Sequence, residues 1–394
     1  MKCYFRSFDV GIGDCNVIRL VDGEQQYSIM IDCGQFTAPV KTYVETVLHN
    51  HINILIATHI DGDHIVGLAK MLRELPELQI DSIWYNVYRR QNKDDAVEMT
   101  EQQKAVLEWV KKELPVEFDA INCCRDISAP QGKTLAKSVI ENPDWNRVWN
   151  VEYITKDTAD YTLPDNFGKI VFLSPTQEAM KAIDDKFKDV FDKYFMEQWN
   201  DSIKNGEELS ELLLRLAEAY KGRCELRPVS NSDLAYSADY INKQAQVEAV
   251  DDSETNCASI AFLLECGEHK IAMLGDAFTK TVDDSLYDKY KSRGFPLKCD
   301  AIKISHHGSN GNCSKSLLEK IQAPVYFIPG GKGSDYPTWG TFGRITLSHQ
   351  GMKQVVFSHR CDMSERIDGI KEEVKQALKV KTSINENEYE LFEW

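Results

Sequence analysis

The chain has 394 residues, 42% of them hydrophobic, and its 62 acidic against 46 basic side chains give a formal net charge of −16. This length is sufficient for a large buried core, in one elaborated domain or in two. Because no lysine-rich or arginine-rich tract offsets the negative charge, the composition argues against a protein that binds long nucleic acids unaided.

The cysteines and the N-terminal segment bear on the cellular compartment. The 11 cysteines are scattered through the chain and include no CxxC pair. Reduced thiols in a cytosolic protein are therefore expected, rather than a secreted disulfide framework. The N-terminal segment enters a strand-like pattern at once, and we expect neither a signal peptide nor a membrane span. The predicted location is cytoplasmic.

The first part of the chain predicts β-strands over 1–35, a helix over 40–50 and a buried strand over 52–57. Four candidate metal ligands follow that strand within six residues: His59, Asp61, Asp63 and His64. Clustered imidazoles and carboxylates are what divalent ions require, and these would project from the carboxyl edge of a sheet. The alternative is a polar loop in which a histidine is only a surface or capping residue.

The pattern of apolar and polar residues changes after Trp84. Thr100 and Gln103 resemble a capping box that opens a helix through Leu114. Apolar residues then fall on two helical faces, one largely aromatic and one rich in leucine: Phe187, Val190, Phe191, Tyr194, Phe195 and Trp199, then Leu209, Leu212, Leu213, Leu216 and Tyr220. We expect a helical hairpin that packs on the core and either roofs the site or docks a partner. Residues 228–255 are predicted to form a loop.

Strands and helices alternate again after Asn256. The patterns predict strands over 259–266, 270–275, 300–305, 325–329 and 354–359. They predict helices over 279–292, 314–321 and 364–379. An α/β protein is therefore expected.

The stretch Thr58–His64 resembles the HxHxDH signature of the metallo-β-lactamase superfamily, with Asp61 in place of the second histidine. This HxDxDH variant is similar to the branch containing the hydrolase domain of bacterial DNA-uptake channel proteins and the phosphorylcholine esterases. Further segments resemble the same family in the same order: 8–14 with 29–34, 271–276, and the HHGS segment in 302–309. The resemblance covers residues 1–83 and about 255–360.

This resemblance implies a four-layer αββα sandwich of metallo-β-lactamase type, with the site at one rim of its two sheets. Residues 1–83 would form the first half of the core and 255–394 the second half. The intervening 84–254 would be a mainly helical insertion, serving as a lid or a partner-docking region.

The resemblance also assigns roles to individual residues. His59 and Asp61 would bind one divalent ion, while Asp63, His64 and His307 bind another. Asp276 would bridge the two ions, and Asp32 would orient a ligand imidazole from behind.

Catalysis is expected to depend on Asp63 and on His306. His307 is favoured as the ligand because it directly precedes the glycine, as in relatives with a His-Gly ending, and His306 is then free to hydrogen-bond the substrate or to protonate the leaving oxygen. The alternative is that the two adjacent histidines exchange these roles. Ser309 and Asn256 are expected to contact the substrate. The alternative for Ser309 is an N-cap or turn residue.

Two positions depart from the family pattern. Tyr336 stands before Pro337 where relatives with an HP dipeptide have a histidine, and 254–259 stands where better-known relatives supply a third histidine to the first metal. The carboxylate of Asp61 hardens the site, which favours Mn²⁺ and tolerates Mg²⁺, while Zn²⁺ stays possible.

We therefore predict a hydrolase in which two metal ions activate a water. Its expected substrate is a phosphodiester, in nucleotides or short nucleic-acid strands, with Arg89, Arg90, Lys303 and Lys332 adding positive charge near the site. One alternative is hydrolysis of a lactone, amide or thioester. Another is an effector subunit that a protein partner activates by docking on the helical insertion.

Overall fold

Two mixed sheets build the protein in our computed structural model, which describes residues 1–86, 135, 138–139, 142–150, 152–190, 236–251, 253–331 and 335–394. The strands of the first sheet are β1 (Lys2–Ser7), β2 (Asn16–Asp22), β3 (Gln25–Ile31), β4 (His51–Ala57), β5 (Gln79–Tyr85) and β16 (Glu388–Glu393). Their order is β16-β1-β2-β3-β4-β5. The C-terminal strand therefore completes the sheet beside the N-terminal one.

The second sheet has eight strands. They are β6 (Tyr161–Thr162), β7 (Lys169–Ser174), β8 (Ala261–Cys266), β9 (His269–Met273), β11 (Ala301–Lys303), β13 (Val325–Ile328), β14 (Lys353–Phe357) and β15 (Val380–Ile384). Their order is β15-β14-β13-β11-β9-β8-β7-β6. The strands β10 (Leu297–Lys298) and β12 (Ile321–Gln322) form a separate short pair.

Parallel strands lie side by side where the predicted motifs leave the sheets. In the first sheet β3, β4 and β5 are parallel, and in the second β9, β11, β13, β14 and β15 are parallel. The carboxyl ends of parallel strands meet at one edge, so residues that follow β4, β9 and β11 are brought to edges where ligands commonly bind.

Eleven α-helices have bounds in the described part of the chain. They are Ala38–Thr46 (α1), Gly62–Glu74 (α2), Pro143–Val148 (α3), Gln177–Val190 (α4), Ala238–Gln244 (α5), Glu254–Cys257 (α6), Thr279–Tyr290 (α7), Lys315–Lys320 (α8), Trp339–Leu347 (α9), Asp362–Asp368 (α10) and Glu372–Ala377 (α11).

The two sheets pack face to face over one hydrophobic core. Phe5, Ile29 and Ile56 of the first sheet belong to the same buried cluster as Phe262 and Ile271 of the second. Because side chains alternate along a strand, the intervening residues of the second sheet point the other way. These outward residues pack with helices on the far side, as Tyr326 and Val355 do with Leu286 of α7 and Phe342 of α9.

The outer face of the first sheet is covered by α1 and α2. Val40 and Val44 of α1 are buried, as are Leu68 and Leu72 of α2. A Cβ on Gly67 of α2 would lie 2.6 Å from the Cys33 carbonyl oxygen, so only glycine lets the helix approach so closely. The predicted four-layer αββα arrangement is thereby confirmed.

Most predicted elements lie where the sequence placed them, within a few residues. The predicted helix over 364–379 is instead two helices, because α10 ends at Gly369. The predicted loop over 228–255 contains α5, which Ser237 caps by accepting a hydrogen bond from the Tyr240 backbone N–H at 3.2 Å.

The segment predicted as an insertion, 84–254, includes β6 and β7, and β7 pairs with β8 of the second sheet. The described fold belongs to a compact unit of Met1–Val87, Ile127–Lys186 and Pro228–Trp394, and a second unit comprises Tyr88–Asp126 and Phe187–Arg227. The predicted domain boundaries therefore stay a prediction.

Several sequence predictions lie outside the described side chains. These are the helix from Thr100 to Leu114, the aromatic and leucine-rich faces between 187 and 220, and the cations Arg89, Arg90 and Lys332. Among the helices that can be described, none has the length and apolar character needed to cross a membrane.

Candidate metal centre

The HxDxDH segment joins a buried strand to the start of a helix. β4 ends at Ala57, and α2 begins at Gly62, with the backbone of Asp61 extended at the N-cap position. Asp63 and His64 therefore lie in the first turn of α2, where the helix dipole favours a carboxylate.

The second group of residues leaves the other sheet. Asp276 follows β9 through Gly275, whose φ is +50° and where a Cβ would lie 2.4 Å from the Ser259 hydroxyl. That hydroxyl accepts a hydrogen bond from the Asp276 backbone N–H at 2.9 Å. His306 and His307 follow β11, and both have left-handed backbones with φ of 47° and 48°. Such conformations in residues other than glycine cost energy and concentrate at functional sites.

The two groups converge on Asp276. Its Oδ2 lies 3.3 Å from His64 Nε2 and 3.9 Å from His307 Nε2. His307 Nε2 lies 3.3 Å from Asp63 Oδ2, and His59 Nε2 lies 3.6 Å from Asp61 Oδ2. Among the described residues, three sets of three ligand atoms have the spacing that a cation requires, and two of them face Asp276 or Asp63: His59 with His64 and Asp276, and Asp63 with His64 and His307.

The hydrogen bonds behind these imidazoles fix which nitrogen faces the centre. The Thr58 hydroxyl donates to Asp32 and so must accept from His59 Nδ1, 3.0 Å away. His64 Nδ1 lies 2.8 Å from Asp32 Oδ2, and His307 Nδ1 lies 3.1 Å from the Pro329 carbonyl oxygen. Each Nδ1 thus carries a proton that it donates outwards, so Nε2 is the nitrogen that faces the centre and is available to a cation once it is deprotonated.

The three Nε2 atoms have the properties expected of cation ligands. Within the described residues, the Nε2 atoms of His59, His64 and His307 are buried and have no hydrogen-bond partner, and neither has Asp276 Oδ1. Buried polar atoms are rarely left in this state unless an ion or water completes them. Imidazole lone pairs beside carboxylate oxygens fit divalent cations such as Zn²⁺ or Mn²⁺.

Asp32 lies directly behind His64, and its role as the support of a metal ligand stays a prediction. It is fully buried and has a left-handed backbone with φ of 59°. Its Oδ1 accepts from the Thr58 backbone N–H at 2.7 Å, while its Oδ2 faces His64. A carboxylate in this position fixes the tautomer of the imidazole and raises its basicity.

The acidic and basic side chains of the cluster shift one another's pKa values towards the charged forms. Burial opposes ionisation of Asp276, yet the neighbouring imidazoles, His64 foremost, hold the pKa of that carboxyl well below its usual range. Burial also disfavours protonation of His307, but Asp276 and Asp14 raise the pKa of its imidazole to about 10. A proton therefore occupies the imidazole of His307 until a cation displaces it.

Asp14 and Lys303 form a buried ion pair at the centre, which the sequence did not predict. Lys303 is buried in β11, and its ammonium group contacts Asp14 Oδ2 and donates to the Gly275 carbonyl oxygen at 2.9 Å. The sequence placed Lys303 near the site but gave Asp14 no role. A lysine inside an apolar strand was the available signal, because a buried ammonium needs a carboxylate partner.

His306 lies beside a polar group that sequence reasoning also missed. Its Nδ1 is 3.0 Å from Asn312 Oδ1 and 3.4 Å from Asp251 Oδ2. Asp251 accepts from the side-chain amides of Asn256 and Asn312 at 2.7 and 2.8 Å. His306 Nε2 is turned towards Asp276 Oδ2, 3.9 Å away. The ring is therefore held from behind with its second nitrogen towards the centre.

The predicted substrate contacts have local partners. The Ser309 hydroxyl accepts from the Gly311 backbone N–H at 3.3 Å, which is the turn role considered as its alternative. Asn256 is buried and bound to Asp251. Both assignments as substrate contacts stay predictions.

The two departures from the family pattern each have a structural counterpart. Thr255, in the segment that stands for the third histidine, donates its hydroxyl to Asp61 Oδ2 at 3.0 Å. Tyr336 places its ring centroid 5.0 Å from that of His306. An aromatic ring thus lies beside His306 at the position before Pro337.

No family model and no curated protein sequence matches the chain. It is similar to a solved structure of the metallo-β-lactamase fold protein YhfI from Bacillus subtilis, with 10% identity, a TM-score of 0.37 and coverage of 99% of this chain and 100% of that one. For Zn²⁺-bound PqqB from Methylobacterium extorquens the identity is 9%, the TM-score 0.39 and the coverage 98% and 100%. For a diphosphatase of the PhnP family these values are 10%, 0.37, 100% and 98%.

The fold rests on the protein's own geometry. Two sheets pack between outer helices, and the HxDxDH, Gly-Asp and HHGS segments meet at their rim. The described residues thus form the αββα sandwich of metallo-β-lactamase type that the sequence predicts. Membership of that superfamily, and of one branch within it, stays a prediction.

Proposed function

We propose that the protein is a metal-dependent hydrolase of phosphodiesters in nucleotides or short nucleic-acid strands. One observation carries the proposal of a metal-dependent enzyme: three buried imidazoles direct unpartnered Nε2 atoms towards the carboxylates of Asp63 and Asp276. The phosphodiester substrate is the finer part, and it is supported by the resemblance of the motifs to the DNA-uptake branch.

The proposed ligand sets are those that the family resemblance implies. His59 and Asp61 would hold one ion and Asp63, His64 and His307 the other, and Asp276 lies close to His59, His64 and His307. When bound, two divalent ions lower the pKa of a water towards neutrality and offset negative charge on phosphoryl oxygens.

The donor set favours ions that accept oxygen ligands. Asp61, Asp63 and Asp276 supply carboxylate oxygens beside three imidazoles. Mn²⁺ suits such a mixed set, and Zn²⁺ also binds imidazole and carboxylate. We therefore propose Mn²⁺ as the first ion to test, with Zn²⁺ as the second.

His306 is proposed to act on the substrate itself. Its side chain is 16% exposed, whereas that of His307 is 2% exposed, so His306 is the more accessible of the pair. Asn312 and Asp251 hold its Nδ1, which leaves Nε2 directed at the centre. From this position His306 can hydrogen-bond a phosphoryl oxygen or give a proton to the leaving oxygen.

The net charge of −16 limits the proposed substrate. A long polyanion would be repelled by the protein as a whole, whereas a nucleotide or short strand brings few charges, which bound cations offset locally. This is why we propose a short substrate rather than duplex DNA.

Colorimetric assays test the proposal. Bis(p-nitrophenyl) phosphate, a lactone and a thioester should each be supplied with Mn²⁺ and with Zn²⁺. We expect hydrolysis of the phosphodiester, reduced more than about a hundredfold in Asp63→Ala, since even residues that only support a metal ligand cost up to that factor. The exposed Asp284→Ala serves as the matched control and should keep full activity. Turnover of only the lactone or thioester would instead favour the acyl-hydrolase alternative.

A further inference from the structure

Lys303 places a positive charge inside the proposed metal centre. The side chain is 1% exposed, and its Nζ lies 3.7 Å from Asp276 Oδ1 and in close contact with Asp14 Oδ2. Its hydrogen bond to the Gly275 carbonyl oxygen fixes the ammonium group beside the residue that carries the shared carboxylate. A buried ammonium group is costly unless carboxylates compensate it.

Asp14 connects this ammonium group to the remainder of the centre. Its Oδ1 lies 3.1 Å from His307 Nδ1, and its backbone N–H donates to the Asp63 carbonyl oxygen at 3.1 Å. A Cβ at the preceding Gly13, where φ is +125°, would lie 2.1 Å from that same carbonyl oxygen. The Asp14 loop therefore reaches the metal motif only because residue 13 is glycine.

The charged side chains around the imidazoles carry a net negative charge. Five carboxylates contact His59, His64, His307 or Lys303, namely Asp14, Asp32, Asp61, Asp63 and Asp276. Lys303 offsets one of these five negative charges. The four that remain equal the charge of two divalent cations, so a centre with two such ions would be close to neutral.

A third set of ligand atoms lies on the far side of His64. Oxygens of Asp14 and Asp32 and a nitrogen of His64 have the spacing of a cation site, and all three residues are buried. Lys303 already supplies a positive charge to Asp14 at this place. A divalent ion there would have to approach the ammonium group, which Coulomb repulsion opposes.

We propose that the Lys303 ammonium group serves as a built-in cation of the centre. It compensates the negative charges of Asp14 and Asp276 and holds Asp14 against His307. It also takes the place of a third divalent ion beside Asp14 and Asp32. This inference rests on the metal centre of the proposed function. It assigns Lys303 and Asp14 as positioning residues that set how tightly divalent ions bind.

A double-mutant cycle tests the assignment, with Mn²⁺ affinity measured by isothermal titration calorimetry at one mildly alkaline pH. Lys303→Met removes the repelling charge, so Mn²⁺ should bind about tenfold more tightly. Asp14→Asn leaves the ammonium group without its closest carboxylate, and Mn²⁺ should bind about tenfold more weakly. The double variant removes both charges and should return to within about threefold of the wild type. Lys298→Met, an exposed lysine shortly before β11, is the matched control and should not change the affinity.

The melting temperature of the metal-free protein gives a second readout. Lys303→Met leaves Asp14 buried without its partner, so its melting temperature should fall, and the double variant should regain most of the loss. If Lys303→Met does not fold, Asp14→Asn and the double variant still decide the question.

Opposite shifts in the two single variants, cancelled in the double variant, support a compensating cation. Weaker Mn²⁺ binding in both single variants, with the losses adding in the double variant, would overturn it and leave Lys303 a packing residue. A wild-type protein that binds no divalent ion would overturn the proposed metal centre itself, and this inference with it. The two failures are therefore distinguishable.

Discussion

Asp32 Oδ2 lies 2.8 Å from His64 Nδ1, and both side chains are completely buried. The pair joins the residue that follows β3 to the first turn of α2, so it fixes the ring whose Nε2 lies nearest to Asp276. A carboxylate behind an imidazole is a common support for a metal ligand.

Replacing this carboxylate should weaken cation binding. In Asp32→Asn the side chain keeps its shape but loses its charge, so His64 becomes a poorer ligand, and the affinity for Mn²⁺ should fall about 10-fold to 100-fold. Equilibrium dialysis with metal analysis measures the change. The matched control is Asp81→Asn, which alters a second Asp–His pair, with 2.9 Å from Asp81 Oδ1 to His51 Nε2, that is largely exposed. Equal losses in both variants would contradict a special role for Asp32.

Cation binding should strengthen as the pH rises. The pKa of His64 lies well above its usual value and that of His307 at about 10, so both imidazoles of the metal-free protein carry protons at neutral pH. Mn²⁺ must displace these protons, and its apparent affinity should increase between about pH 6 and about pH 9. Titrations in buffers of different ionisation enthalpy would also count the released protons. An affinity that is independent of pH over this range would contradict the assignment of these two ligands.

The stability of the metal-free protein should change in the opposite direction. Because the folded-state pKa of His307 is raised, its contribution to the free energy of unfolding is fully present below the unfolded value of about 6.5. That contribution is lost as the pH rises towards about 10. Chemical denaturation with a chelator present measures this trend, and His307→Asn should reduce it.

Asp251 should affect turnover without affecting the metal content. Burial opposes ionisation of this carboxyl, but hydrogen bonds from His306 and two asparagines lower its pKa to about 2, so it is charged at neutral pH. Asp251→Ala would remove one of the two groups that hold His306 Nδ1 and would also free the Asn312 amide, so we expect kcat to fall about tenfold or more with little change in KM. The loss should be larger for a substrate with a poor leaving group than for a nitrophenyl ester. A parallel loss of bound metal would show instead that Asp251 supports the ligands.

The core between the sheets should dominate stability. Phe262 of β8 is fully buried in the cluster shared by both sheets. Phe262→Ala removes most of that side chain, and the free energy of unfolding should fall by about 3–5 kcal/mol. Val250→Ala, at a residue 90% exposed, should change it by less than about 0.5 kcal/mol. Urea denaturation compares the two variants, and similar values would contradict the described packing.

The features that could be predicted from the sequence depend on residues that are close together in the chain. Apolar runs predicted β4, β9 and β11, and the clustered imidazoles and carboxylates after β4 marked a candidate metal site that includes Asp63, whereas Asp276 and His307 were assigned through the family resemblance. Each of these signals lies within a few residues of the element it describes. The convergence of the segments followed from strand ends meeting at the edges of two packed sheets.

The features that could not be predicted depend on contacts between residues that are far apart in the chain. Asp14 and Lys303 are 289 positions apart in the chain and contact each other only because β9, β11 and the loop after β1 meet at the centre. The pairing of β16 with β1 is equally nonlocal, and no pattern within 388–393 specifies a partner. The helix α10 ends at Asp368 with Gly369 as its C-cap, whereas apolar periodicity alone would have continued it.

Metal analysis of the purified chain tests the account most directly. After equilibration with Mn²⁺ and removal of unbound ions, inductively coupled plasma mass spectrometry should be run on the wild type and on Asp63→Ala. The geometry around Asp276 predicts about two ions per wild-type chain and a clear loss in the variant. A wild-type chain that retains no ion, or a variant that retains as many, would contradict the account.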